Sequence, residues 1–195
     1  MKIFVVENNY SGSHDLKASD EEAGWFLIAD SAMTNTGKPF YLPENVGRVT
    51  VSLSRVARID RLGKNISGKF ASRYYNALAP ALLFSLPDYA RQLRERNLPE
   101  DAARSFDRAL FVGDFADKSS EMKLELRKNG ETVCNYDDLQ LLKPVDTLIP
   151  ALSRLNTLKM GDVIVPGLSG KIEIEEGDFL EVMNGDERMF HVKVK

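Results

Sequence analysis

From residue 123 onward the chain is cut by glycine turns at short intervals, and this pattern limits the fold more than any other feature of the sequence. Residues 123–128, then Asn129-Gly130, then residues 131–135 make a hairpin signal, because Asn-Gly supplies the positive φ angles of a type I′ turn. Gly161-Asp162 precedes Val163-Ile164-Val165, and Gly177-Asp178 precedes Phe179-Leu180-Glu181-Val182. Asn184-Gly185 then precedes a last strand over 189–194. Strands this short and this close pair with their neighbours in sequence. They predict an antiparallel sheet that rolls up or closes as a barrel, with a few helices outside it. The expected class is α+β, mainly β. With 195 residues the chain can bury one sizeable core, so residues 1–195 are expected to form a single domain.

The first half carries fewer strands. Residues 1–6 read as a buried strand, 8–22 as a polar loop or short exposed helix, and 24–33 as a second strand around Trp25, Phe26, Leu27 and Ile28. Residues 49–59 are rich in β-branched side chains and lie between Gly47 and Gly63, which makes them the longest strand candidate. Helical spacing of Phe70, Ala71, Tyr74 and Tyr75 predicts a helix opened by Ser67. Pro80 is expected to interrupt the segment behind that helix. A second helix is predicted over 87–96, with Pro87 near its first turn, and a third from an Asp146 N-cap to Leu155, with Pro150 in the first turn.

Charge and composition exclude several classes. Lys plus Arg number 26 against 29 Asp plus Glu, a net charge of -3, so no basic excess points to nucleic acid or an anionic membrane. No apolar run reaches the ~18 residues that span a bilayer. One cysteine, Cys134, excludes an internal disulfide framework and a cysteine-based zinc site. A reduced, cytoplasmic protein is the expectation, with neither nucleic acid nor membrane as a partner. The sequence has no phosphate loop, dinucleotide fingerprint or nucleophile elbow. His191 sits mid-strand and reads as structural. His14 lies in the polar loop NNYSGSHD, where binding and catalytic residues tend to occur.

An ordered set of short motifs goes further. Asn9-Tyr10 with His14, Asp30-Ser31-Ala32, Lys38-Pro39-Phe40, RLGKNIS at 61–67, Arg73-Tyr74-Tyr75, Phe106-Asp107 to Gly113, Asn129-Gly130-Glu131, SRLNTLKMGDVI at 153–164 and Glu176-Gly177-Asp178 succeed one another along nearly the whole chain. In that order the chain resembles the fumarylacetoacetate hydrolase family. The resemblance is to its compact members, the 2-hydroxyhepta-2,4-diene-1,7-dioate isomerases, acylpyruvate hydrolases and oxaloacetate decarboxylases.

The resemblance implies magnesium or manganese held by a Glu-x-Glu strand motif and an Asp beyond the following helix. Residues i and i+2 of a strand share a face, and hard cations want charged oxygen ligands. Counting back from RLGKNIS places the Glu-x-Glu on Ser52 and Ser54. Counting on from Arg73-Tyr74-Tyr75 places the Asp on Leu83. The family's substrate-binding lysine falls on Ile28 and its later lysine on Arg104. Its Thr-Gly-Thr-Pro strand end falls on Val165-Pro166-Gly167-Leu168, and of its His…Glu pair only His14 remains, with Lys17 at the acid position.

The expectation is a fold kept and a metal chemistry lost: no metal ligand and no cofactor. The function expected is that of a ligand-binding, regulatory or partner subunit, a pseudoenzyme that takes a small carboxylate and forms a homodimer or pairs with a paralogue. The alternative is an active hydrolase, isomerase or decarboxylase of a small 2-keto acid, with His14 as base, Arg104 as carboxylate clamp, and magnesium or manganese if a metal is retained.

Overall fold

A computed structural model of the chain describes residues 1–11 and 24–195. Two sheets carry the fold. The larger is built on two long antiparallel strands, β4 (Val49–Ile59) and β5 (Tyr75–Ser85), which pair along nearly their whole length. Before them come β1 (Ile3–Val6), β2 (Trp25–Ile28) and β3 (Met33–Asn35). A four-residue helix, α1 (Gly68–Ala71), joins β4 to β5, and β5 leads into α2 (Pro87–Glu95) and α3 (Asp101–Arg104). The chain continues through β6 (Leu110–Val112), β7 (Ala116–Asp117), β8 (Leu124–Lys128), β9 (Glu131–Tyr136), α4 (Val145–Leu155), β10 (Val163–Val165), β11 (Ser169–Ile174), β12 (Phe179–Asn184) and β13 (Glu187–Lys193). The larger sheet runs β2-β1-β10-β4-β5-β6-β3, with β11 also on β4 and β7 also on β5; the smaller runs β13-β12-β8-β9. It is a mainly β architecture of curled sheet with few helices, as the spacing of turns requires.

Three expectations change. Residues 74–75 do not continue a helix: α1 ends at Ala71 and Tyr75 opens β5. Pro80 does not interrupt β5 either. On that flank β7 pairs with Ala77 and Leu78 and β6 with residues 81–83, so the missing N–H falls between the two short strands. The Pro80 carbonyl is still used, accepting the Gly113 N–H at 2.9 Å. In α4 the N-cap is Pro144, so Asp146 lies in the first turn and Pro150 one turn further in, where it removes an intrahelical bond.

Alternation along β4 gives its two faces different work. Val51 and Leu53 face a core with Leu82, Phe84 and Phe111, where Phe40 stacks on Phe84 at 4.0 Å. Ser52, Ser54 and Val56 face the side on which Ala79, Ala81 and Leu83 lie with Ile3, Val5 and Ile28. Ala57 and Ile59 join Leu148, Ile149 and Leu152 of α4 in a third cluster. Between the first and third clusters sits Arg55, 8% exposed. Its guanidinium donates to Asp138 at 2.6 Å and to the Ser120 carbonyl at 2.7 Å, tying β4 to the segments that flank the β8–β9 hairpin.

Candidate functional site

On the Ser52 face a cleft of about 280 Å³ opens where β4, β5, α2 and α3 meet. Its floor is a square of paired positions: Ser52 across from Leu83, and Thr50 across from Ser85. Opposed residues of an antiparallel pair point to one side, so the four side chains share the cavity. Phe26, Leu86, Pro87, Ala90, Ala103 and Leu168 supply apolar wall. Five charged residues complete it: Glu7, Arg94, Glu100, Arg104 and Lys171.

The charges are organised around Arg104. One of its terminal nitrogens donates to Glu7 at 3.0 Å and the other to Glu100 at 3.0 Å. Its guanidinium also lies over the Phe26 ring, 4.6 Å from the centroid. Arg94 grips the same Glu100 with two bonds, at 2.8 and 2.9 Å. These bonds, from Arg94 first and Arg104 second, hold the Glu100 carboxyl down to about 2. A carboxyl lowered in this way adds stability that is complete above the unfolded value near 4.5 and is lost as pH falls through about 2. Urea melts of wild type and Glu100→Gln should therefore differ most above about pH 5 and converge toward about pH 2.

The serine hydroxyls are committed to backbone. A register shift in β11 between Ser169 and Ile172 leaves the Gly170 carbonyl outside the regular ladder, and Ser52 Oγ donates to it at 2.7 Å. Ser54 Oγ donates to the Gly167 carbonyl, also at 2.7 Å. Gly170 has φ +73, and a Cβ there would meet Cys134 Sγ at 3.0 Å, so glycine is needed for both conformation and space. Asn9, 1% exposed, clamps the neighbouring loops: its amide donates to the Lys143 and Pro166 carbonyls and accepts from the Lys143 N–H.

The positions expected from sequence are only partly brought together. Ser52, Leu83 and Arg104 line one cleft. Ser54 is fully buried beyond it, so the alternate pair facing the cleft beside Leu83 is Thr50 and Ser52. Ile28 lies in the apolar cluster behind the cleft, whose wall is formed two residues earlier by Phe26. His14 lies outside the described residues. Glu7, Glu100, Arg94 and Lys171 carry no sequence signal that marks them for the cleft. Among the described residues no three His, Cys, Asp or Glu side chains are grouped to hold a metal ion. The donors on the cleft floor are hydroxyls, and both cleft carboxylates are engaged by arginines, so these residues do not fit magnesium or manganese. Burial pushes the Cys134 thiol up to about 11, so little of it is thiolate at neutral pH, and it does not line the cleft.

A curled, mainly β sheet with few helices and a small polar cleft on one face of its two long strands matches the fold of solved fumarylacetoacetate hydrolase family structures. The chain belongs to the fumarylacetoacetate hydrolase family: the model of the fumarylacetoacetate hydrolase C-terminal domain matches residues 2–187. It is 23% identical over 190 residues to the oxaloacetate tautomerase YcgM of Escherichia coli, covering 93% of this chain and 87% of the relative. It is 24% identical over 201 residues to the mitochondrial oxaloacetate tautomerase FAHD1 of Bos taurus, covering 99% and 90%. The fold superimposes with a TM-score of 0.87, at 22% identity, on fumarylpyruvate hydrolase from Pseudomonas aeruginosa solved with Mn2+ and pyruvate, covering 100% of this chain and 89% of that one.

Proposed function

We propose that this chain has given up the metal-dependent chemistry of its family and uses the cleft to bind a small carboxylate, as a ligand-binding, regulatory or partner subunit. One observation carries the reading: the Glu-x-Glu and Asp positions that the family resemblance implies are Ser52, Ser54 and Leu83, with Ser52 directly across from Leu83 on the cleft floor and Ser54 buried beside it. Where a family member would offer carboxylates, this chain offers two hydroxyls and an isobutyl group. A neutral hydroxyl compensates little for the dehydration of a divalent cation, and leucine not at all. Arg104 and Lys171 keep positive charge in the cleft without a metal.

Calorimetry with manganese and magnesium, run beside assays of oxaloacetate tautomerisation and acylpyruvate hydrolysis, tests this directly. The expected result is no micromolar metal binding and no turnover above background. Micromolar binding together with turnover overturns the reading.

The open cleft and the oxaloacetate tautomerase relatives favour a second reading, an active enzyme acting on a 2-keto acid, with Arg104 holding the substrate carboxylate and His14 as base. It requires keto–enol activity that falls sharply in His14→Ala. Pairing with a second copy or with a paralogue is a further part of the proposal, read by sedimentation of the pure protein and by pull-down from the native cell.

A further inference from the structure

The two carboxylates on Arg104 are held very differently. Glu100 is fixed by three arginine bonds and is 22% exposed, whereas Glu7 makes one bond to Arg104 and is 45% exposed. If Glu7 swings away, Arg104 keeps both Glu100 and the Phe26 ring, so its guanidinium stays in place with one terminal nitrogen open to the cavity. Among the described residues the cleft carries three cations against two carboxylates, and Lys171 has no carboxylate within ion-pairing distance. Lys171 is therefore a second cation that can meet a carboxylate on Arg104.

We infer that Glu7 is a built-in competitor, an intramolecular carboxylate resting on Arg104 that an incoming small carboxylate displaces by ion-pair exchange. This rests on the ligand-binding reading above and adds its regulation. No bond to carbon is made or broken: one carboxylate replaces another on the same guanidinium N–H, and Glu7 passes into solvent. The exchange costs little because Glu7 is the more open partner of a half-exposed pair, where solvent screens much of the attraction. Affinity is set by the difference between the two carboxylates, so anything that draws Glu7 away opens the site.

The test titrates pyruvate, as a plain monocarboxylate probe, into the full chain in metal-stripped buffer, followed by NMR shifts of the cleft amides. Glu7→Gln keeps the size of the side chain and removes its charge. It should bind pyruvate about fivefold more tightly than wild type, about the worth of one solvent-screened ion pair. Arg104→Gln combined with Glu7→Gln, which leaves no unpaired carboxylate at position 7, should lose that binding. Pyruvamide, the neutral isostere, should bind wild type and Glu7→Gln alike. Equal or weaker pyruvate binding by Glu7→Gln, with an unchanged melting temperature, overturns the inference, as does retained binding in the double variant. Failure of the wider reading shows elsewhere, as metal binding with turnover, so the two outcomes are separable.

Discussion

Thr50→Glu, Ser52→Glu and Leu83→Asp combined should give a protein that melts lower than wild type in metal-free buffer and recovers most of that loss when manganese is added. The three positions line the cleft, Ser52 directly across from Leu83 and Thr50 two residues along the same strand face. Without metal the variant loses the buried Leu83 side chain, which costs about 2–4 kcal/mol, and gathers three carboxylates that repel one another. For a chain of this size that is a fall in melting temperature of about 5–15 °C. A divalent cation bound only by the folded state returns about 2.7 kcal/mol at a hundredfold excess over its Kd. Thermal melts against manganese concentration read both effects at once. A matched variant carrying Ser52→Glu, Ser54→Glu and Leu83→Asp should melt lower still and show little recovery, because position 54 does not face the cavity. Better rescue of the second variant would place the ion-binding geometry two residues further along β4.

That two-residue step shows what the sequence could and could not carry. A step of two along a strand keeps the same face and moves a side chain about 7 Å, so of the expected pair Ser52 lines the cleft while Ser54 lies buried beside it. The hairpins were legible because Asn129-Gly130 and Asn184-Gly185 have a local conformational requirement that needs no partner. β5 was not, because Ala77, Ala79, Pro80 and Ala81 have little strand propensity of their own. Those residues are extended because β4 pairs with them on one side and β6 and β7 on the other. Arg104 was marked through the ordered motifs. Glu7, its partner 97 residues away in sequence, was invisible, since nothing in a linear chain announces a pairing made by the closure of the sheet. Net charge misled in a similar way. A total of -3 hides a cleft in which, among the described residues, three cations face two carboxylates.

Ser54→Glu should be among the most damaging single changes in the molecule, although it restores the residue type that the family motif implies at that position. Ser54 is fully buried, and its hydroxyl proton is spent on the Gly167 carbonyl. Ser54→Ala removes that bond and leaves the carbonyl without its donor, for a loss of about 1–2 kcal/mol. An ionised glutamate adds the cost of burying a carboxylate against that carbonyl, which repels it. The buried Tyr136 hydroxyl, which makes no hydrogen bond of its own among the described residues, is a single donor nearby, too little to replace a carboxylate's hydration. With its pKa raised by about three or more through burial, the penalty is on the order of 4 kcal/mol at neutral pH. The sign of the pH dependence identifies the cause. The folded state holds the proton more tightly than the unfolded state, so the deficit is full at high pH and shrinks as pH falls through the raised folded value toward the unfolded one near 4.3. Once protonated, the carboxyl can again donate to the Gly167 carbonyl. Chemical denaturation of wild type, Ser54→Ala and Ser54→Glu from about pH 8 to 4 should show a constant gap for alanine and a closing one for glutamate. A glutamate gap that stayed constant would mean that the side chain had found solvent, and that the strand at Ser54 opens toward the cavity after all.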